Sequence, residues 1–276
     1  MPILDACWLP NNEPLDLALG SLDGSLRIAR EGVQHQQSVA HRDAIRVVQA
    51  SKDHRCILTG SWDRSFALWD VRGFTVEKIR DINVPGKVFA MSLEHHRLVV
   101  ALSKRQVKVY DMRMLMNLDQ GDDPLQNRES ILNYQIRSIR GLPDGSGIIE
   151  SSSIVTCFSN GFFQTGFVSA SVESRVGVDL FDPSESAQQR KFAFKAHRQM
   201  RDGAEHVYPI NQVLFHPSNR KLATAGGDGL VSIWDLDQRK CVKHWRRYPA
   251  PITAMAFNAN GTEAAIATGH MASTEK

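Results

Sequence analysis

Cysteine is scarce in this 276-residue chain, and the four present are scattered: Cys7, Cys56, Cys157 and Cys241 form no Cys-x-x-Cys pair, and no histidine is expected at ligand spacing. That speaks against a disulfide framework and a bound metal, and places the chain in a reducing compartment, cytosol or nucleus. No apolar run approaches the length of a membrane span, and Met1-Pro2-Ile3-Leu4-Asp5 lacks the charged and apolar blocks of a signal peptide. The formal net charge of +3 is too weak for nonspecific nucleic-acid binding, which needs a basic stripe and many phosphate contacts. Strong helical periodicity is absent. Neither a serine nor a cysteine stands in the local context of a nucleophile. Gly226-Gly227-Asp228-Gly229 is glycine-rich but leads into a strand, so it cannot cradle a phosphate as a nucleotide loop does. No cofactor, no metal and no catalytic residue is expected.

What is present is a repeat. Asp63 in the turn Gly60-Ser61-Trp62-Asp63 is followed six residues later by Trp69-Asp70, and Asp228 is followed at the same distance by Trp234-Asp235. Degenerate copies keep the period: Ser21-Leu22-Asp23-Gly24 precedes the first copy by 40 residues, and Val109-Tyr110-Asp111 follows Leu68-Trp69-Asp70 by 41. Alternation within each copy, as in Val107-Lys108-Val109-Tyr110 and Leu230-Val231-Ser232-Ile233-Trp234, is that of half-buried strands. A period near forty predicts the four-stranded blades of a β-propeller. With 42% hydrophobic and 23% charged residues, residues 1–276 form a single domain. Blades are expected from Ile3 to about Gln37, His41 to Lys78, Val84 to Leu118, Asn133 to Arg198 and Tyr208 to Trp245, with a partial one from Ile252: five and a fragment, an incomplete ring.

His41 and His197 stand 28 and 37 residues before Trp69 and Trp234, the place WD repeats give to the histidine that opens a blade. By resemblance to those repeats, His41, Asp63 and Trp69, and likewise His197, Asp228 and Trp234, form buried hydrogen-bonded networks. Such a network rigidifies a blade and leaves no imidazole for catalysis. His95-His96 and Lys104-Arg105 read as solvated turn tips.

Longer segments are more specific. Arg128 to Arg140, Glu173-Ser174-Arg175-Val176-Gly177-Val178, Phe192-Ala193-Phe194-Lys195-Ala196-His197-Arg198, Val207-Tyr208-Pro209-Ile210-Asn211 and Arg247-Tyr248-Pro249 resemble the spindle-checkpoint WD-repeat proteins of the budding-uninhibited-by-benzimidazole family. The match runs over nearly the whole chain. Their nearest relatives, the nuclear mRNA-export WD-repeat adaptors that bind a nucleoporin segment, share the plan and are the alternative. A propeller enzyme is the remote one, since no cluster of convergent acids or histidines is evident.

The resemblance implies a noncatalytic adaptor, of seven-bladed type, located in the nucleus and at kinetochores with a cytoplasmic pool. It would bind a short segment of checkpoint kinases or pseudokinases and a phosphothreonine motif on a kinetochore scaffold. Arg137 would meet an acidic residue of the kinase segment; Trp62, read from the residue itself as an aromatic beside a blade turn, is expected to lie exposed and flat against the docked peptide. Arg175 and Arg198 would hold the phosphate, helped by Lys195; a guanidinium offers a planar fork matched to phosphate or carboxylate. Ubiquitin binding is not readable, and neither direct nucleic-acid nor membrane binding is implied.

Three departures from the family pattern matter. A stretch at about 147–165, apolar and free of lysine and arginine, matches nothing in the family and falls inside a blade hairpin. Ser174 replaces an expected glycine, and a positive φ there would strain serine. After Ala267 the resemblance ends where another strand is expected, so the chain is expected to be aggregation-prone through open strand edges.

Overall fold

The computed structural model describes residues 2–9, 16–30, 36–73, 75–143 and 165–269. Among the described residues, short runs of alternating apolar residues, broken by turns every few residues, fold as 24 strands, nearly all in antiparallel meanders. The first sheet holds β1 (Ile3–Trp8), β2 (Leu17–Ser21), β3 (Ser25–Ala29) and β4 (Gln36–Val39). The second holds β5 (Ile45–Ser51), β6 (Cys56–Ser61), β7 (Ser65–Asp70) and β8 (Glu77–Asn83). The third holds β9 (Val88–Glu94), β10 (Arg97–Leu102), β11 (Gln106–Asp111) and β12 (Gln126–Glu129). In the fourth are β13 (Ile136–Gly141), β14 (Gly166–Ser171), β15 (Arg175–Leu180) and β16 (Phe192–Lys195). A separate hairpin, β17 (Arg198–Arg201) and β18 (Ala204–Val207), precedes the fifth sheet, β19 (Ile210–Phe215), β20 (Leu222–Gly226), β21 (Val231–Asp235) and β22 (Lys240–His244). β23 (Ile252–Phe257) and β24 (Ala264–Thr268) pair as two strands. This is the all-β WD-repeat propeller architecture, with five four-stranded blades and a two-stranded one among the described residues.

The third blade corrects the sequence reading, which ended it near Leu118. Asp111 caps a short helix, α1 (Met112–Met116), its side chain accepting the Arg113 N–H. Met112 and Leu115 are buried under it. Arg80 then pins the following loop, donating to the Leu115 carbonyl at 3.2 Å and meeting Asp122 Oδ1 at 2.6 Å. The fourth strand therefore starts only at Gln126. A second helix, α2 (Glu185–Gln188), lies between β15 and β16. The atypical stretch at 147–165 lies outside the described residues except for Thr165. β13 and β14 on either side of it pair directly, Gly141 opposite Phe167.

Apolar clusters fill the spaces between adjacent blades. Phe66, Leu68 and Ile82 of the second pack on Met91, Leu98 and Tyr110 of the third, with the Phe66 and Tyr110 rings edge to face at 5.1 Å. Burying a side chain such as Phe66 completely contributes about 1.5–3 kcal/mol. The innermost strands β1, β5, β9, β13, β19 and β23 touch in that order, and polar side chains stitch each to the next. Asp5 accepts the Val48 N–H at 2.8 Å, Gln49 accepts that of Leu93 at 3.0 Å, Ser92 that of Gly141 at 2.9 Å, and Ser138 that of Val213 at 3.1 Å. Each such bond satisfies a main-chain donor that would otherwise be buried unpaired.

Candidate functional site

Every innermost strand has a register break at its second residue: Leu4, Arg46, Phe89, Arg137, Asn211 and Thr253. A bulge re-aims the side chain it carries. These six residues stand at the end of the sheets that also carries the turns between second and third strands, so a repeated backbone irregularity builds one face.

On that face, two turns are spent on structure. His41 Nδ1 lies 3.2 Å from Asp63 Oδ2 and 2.9 Å from Ser65 Oγ, and Nε2 lies 2.8 Å from Thr59 Oγ1, which also accepts the Trp69 indole N–H at 2.9 Å. The fifth blade repeats this: His197 Nδ1 to Asp228 Oδ1 at 2.9 Å, Nε2 to Thr224 Oγ1 at 2.7 Å, Trp234 Nε1 to Thr224 Oγ1 at 2.9 Å. Burial holds the His41 pKa below the ordinary value, against the pull of Asp63, so the ring is neutral at pH 7. Burial alone would raise the pKa of Asp63, but hydrogen bonds from Ser65, Arg42 and Ser61, with the charge His41 gains once acid protonates it, outweigh burial and hold it low. Asp228 behaves likewise, with His197 the principal counterweight to burial. Gly226 is required here, since a Cβ would lie 2.3 Å from His197 Nδ1.

The turn leading into the third strand has a left-handed residue in blade after blade: Gly24 (φ 78°), Arg64 (71°), Arg105 (63°) and Ser174 (59°) directly before the strand, and Gly229 (75°) two residues before β21. Ser174 is therefore strained, as serine rarely adopts this backbone. It is also fully buried, and its hydroxyl reaches the carbonyls of His197, at 3.1 Å, and Tyr208. Those bonds offset the strain and tie the fourth blade to the base of the β17–β18 hairpin.

The fourth blade gathers the cations. Arg175 opens the third strand β15 opposite Lys195 of β16, so it does not stand on an innermost strand. Arg175 Nε lies 3.9 Å from Glu173 Oε2. Arg198 donates to the Glu173 carbonyl and to Glu205 Oε2, both at 2.9 Å, and Lys195 Nζ lies 3.8 Å from Glu205 Oε1. Arg198 Nε is buried with no hydrogen-bond partner. Thus Arg175, Lys195 and Arg198 form one cluster.

Arg137 stands apart from that cluster, on the bulge of β13, and donates to the Asn211 side-chain carbonyl. Burial first, and the nearby Arg46 second, lower its pKa, the sign of a charge that gains from an anion. Trp62, in the second-blade turn, is half-buried. Its ring is tilted against Phe89 at 6.3 Å with Lys87 Nζ 5.6 Å above it, and its indole N–H is buried without an acceptor.

Sequence reading missed Thr59, Thr224, Glu173, Glu205, Arg46 and Phe89. The threonines had a signal, each four residues before the turn aspartate and ten before the tryptophan. The glutamates had none, because they act across strands. Cys241, expected to have no histidine neighbour, lies 3.5 Å from His244 Nε2. Among the described residues no group of three metal-ligating side chains forms, and no helix is long and apolar enough to cross a membrane.

Residues 33–70 and 198–235 match the WD domain, G-beta repeat family, and each match ends on the aspartate after a network tryptophan. The chain is 39% identical to the mitotic checkpoint protein BUB3.1 of Arabidopsis thaliana over 83% of its own length and 61% of the relative's. It is 34% identical to the spindle assembly checkpoint protein bub3 of Schizosaccharomyces pombe over 91% of the chain and 70% of the relative. The poly(A)+ RNA export protein of the same yeast is 30% identical over 94% and 66%. By similarity to the checkpoint proteins over most of its length, and by two WD matches that each take in a network aspartate and tryptophan, this chain belongs to the BUB3 family of mitotic checkpoint WD-repeat proteins.

Proposed function

We propose that the chain is a noncatalytic adaptor of the mitotic spindle checkpoint, acting in the nucleus and at kinetochores with a cytoplasmic pool, that reads a phosphothreonine motif on a kinetochore scaffold through Arg175, Lys195 and Arg198. The observation that carries this reading is the buried Arg198 Nε, a donor with no acceptor inside a cluster of three cations. A phosphate brings three acceptor oxygens and up to two charges, enough to serve all three side chains. Glu205 bridges Arg198 and Lys195, so these two side chains already converge on a carboxylate. The family resemblance and the export protein's lower identity favour the checkpoint role over mRNA export.

The same face offers Arg137 to an acidic residue of a checkpoint kinase segment. A half-buried guanidinium whose pKa is already depressed gains more from a carboxylate than an exposed one does. Both histidine networks are closed and buried, so the face binds rather than catalyses.

Calorimetric titration with a phosphothreonine peptide and its unmodified form tests the reading. Wild type is expected to prefer the phosphopeptide, and Arg198→Glu and Arg175→Glu to lose the preference. Arg137→Ala is expected to weaken a kinase-segment peptide by about 2–5 kcal/mol, the usual cost of truncating one partner of a desolvated charge pair. Equal binding of both peptides by wild type would overturn the phosphate assignment.

A further inference from the structure

At the opposite end of the sheets from the face described above, the β5–β6 turn of the second blade meets the β9–β10 turn of the third. His54 comes from the first and His96 from the second. His96 Nδ1 lies 3.2 Å from His54 Nε2, the rings meeting edge to face with centroids 5.3 Å apart. A left-handed residue stands in each turn, Arg55 (φ 47°) and His95 (φ 50°), so tight backbone geometry fixes where both imidazoles project. His54 also hydrogen-bonds the His95 backbone. A metal-binding histidine is characteristically held in this way, one ring nitrogen on a backbone carbonyl and the other left as an electron-pair donor.

We propose that His54 and His96 form a two-imidazole site for a borderline divalent metal ion of the Zn2+ class, clasping the second blade to the third. The geometry carries the assignment. With metal–nitrogen bonds of about 2.05 Å, two nitrogens 3.2 Å apart subtend roughly 103° at a shared ion, near the tetrahedral angle. In the empty pair one imidazole N–H bonds the other ring. On binding, the His96 hydrogen moves to its other ring nitrogen, both facing lone pairs bond the ion, and no net proton is released. No third His, Cys, Asp or Glu completes a ligand set among the described residues, so water fills the remaining positions.

The surroundings suit a cation. Asp53 and Asp111 both act electrostatically on the His54 ring, although Arg113 holds the Asp111 carboxylate through a bond of 2.5 Å. The two ligands come from separate blades and lie far apart in sequence, so the unfolded chain has no matching site. An ion that binds only the folded state raises its stability.

The test is titration of the whole chain with Zn2+, by calorimetry and thermal melting, for wild type, His54→Gln, His96→Gln and Cys241→Ser. Cys241→Ser removes the separate Cys241–His244 contact and serves as the control. The expected result is one Zn2+ bound by wild type and by the control with a raised melting temperature. Each histidine variant is expected to bind at least tenfold more weakly and to lose the thermal shift. His96 is exposed, so His96→Gln is expected to fold as wild type does before metal is added. Affinity unchanged in both histidine variants would overturn the proposal, as would no binding by wild type at millimolar Zn2+, which would leave the pair a simple imidazole hydrogen bond.

Discussion

The second and fourth blades share one scaffold and use it in opposite ways. In the second, Thr59, Ser65 and Trp69 turn inward and close on His41 and Asp63. In the fourth, register places Ser169 where Thr59 sits, Arg175 where Ser65 sits and Asp179 where Trp69 sits. Glu173 replaces Asp63 and keeps one of its tasks: Asp63 accepts the Arg42 N–H at 2.9 Å and Glu173 that of Asn133 at 3.2 Å. The rest of the network is gone. The Ser169 hydroxyl is buried with no partner, because no histidine or indole reaches it. Asp179 is buried with Lys191 at 3.3 Å, and burial raises its pKa. The fourth blade has given up a closed network and gained an arginine at the rim. Residues satisfied from within hold a blade together, whereas residues left with unsatisfied donors are free to bind something else.

The largest way to break this comparison is Trp69→Ala. It removes a ring that is 3% exposed and a donor to Thr59, and the expected loss is about 3–5 kcal/mol of folding stability in denaturant titration. A smaller loss sharpens the account of Ser174. Ser174→Ala keeps the strained backbone and abandons two buried carbonyl contacts, so a loss of about 1–3 kcal/mol is expected. Ser174→Gly loses the same contacts but relieves the strain, and is expected to be the more stable of the two.

Smallest is the response to acid. His41, Asp63 and Asp228 all have pKa values below their ordinary ones. At these three groups the unfolded chain therefore binds more protons than the folded one, and the stability they contribute falls as pH falls, while Asp5 and Asp179, whose pKa values burial raises, act in the opposite sense. The His41 contribution fades below about pH 6.5 and those of the aspartates below about pH 3.9, each through its depressed folded value. Melting temperatures measured from pH 7.5 down to 4 are expected to decline, and a His41→Gln variant to decline less between pH 6.5 and 5.

The period near forty made the blades legible, and the aspartate-to-tryptophan step marked where the networks sit. The unequal spacings from His41 to Trp69 and from His197 to Trp234 have a simple cause. The β17–β18 hairpin is inserted after His197, and Tyr208 returns to donate its N–H to the His197 carbonyl at 3.2 Å, closing the excursion. What sequence could not supply is whatever depends on two blades at once. His54 and His96 meet only because adjacent turns converge, and the Glu205 bridge forms only because the hairpin folds back over the end of β16. The late fourth strand of the third blade was hidden because Asp111 continues a strand pattern and caps a helix at the same time.

The central claim is that the second-blade turn serves stability and the fourth-blade turn serves recognition. Asp63→Ala and Arg175→Ala, compared side by side for melting temperature and for preference between a phosphothreonine peptide and its unmodified form, test it most directly. The account predicts that Asp63→Ala lowers the melting temperature by several degrees and keeps the preference, while Arg175→Ala melts as wild type does and loses most of the preference. An Arg175→Ala protein that melts as low as Asp63→Ala yet still selects the phosphopeptide would contradict it.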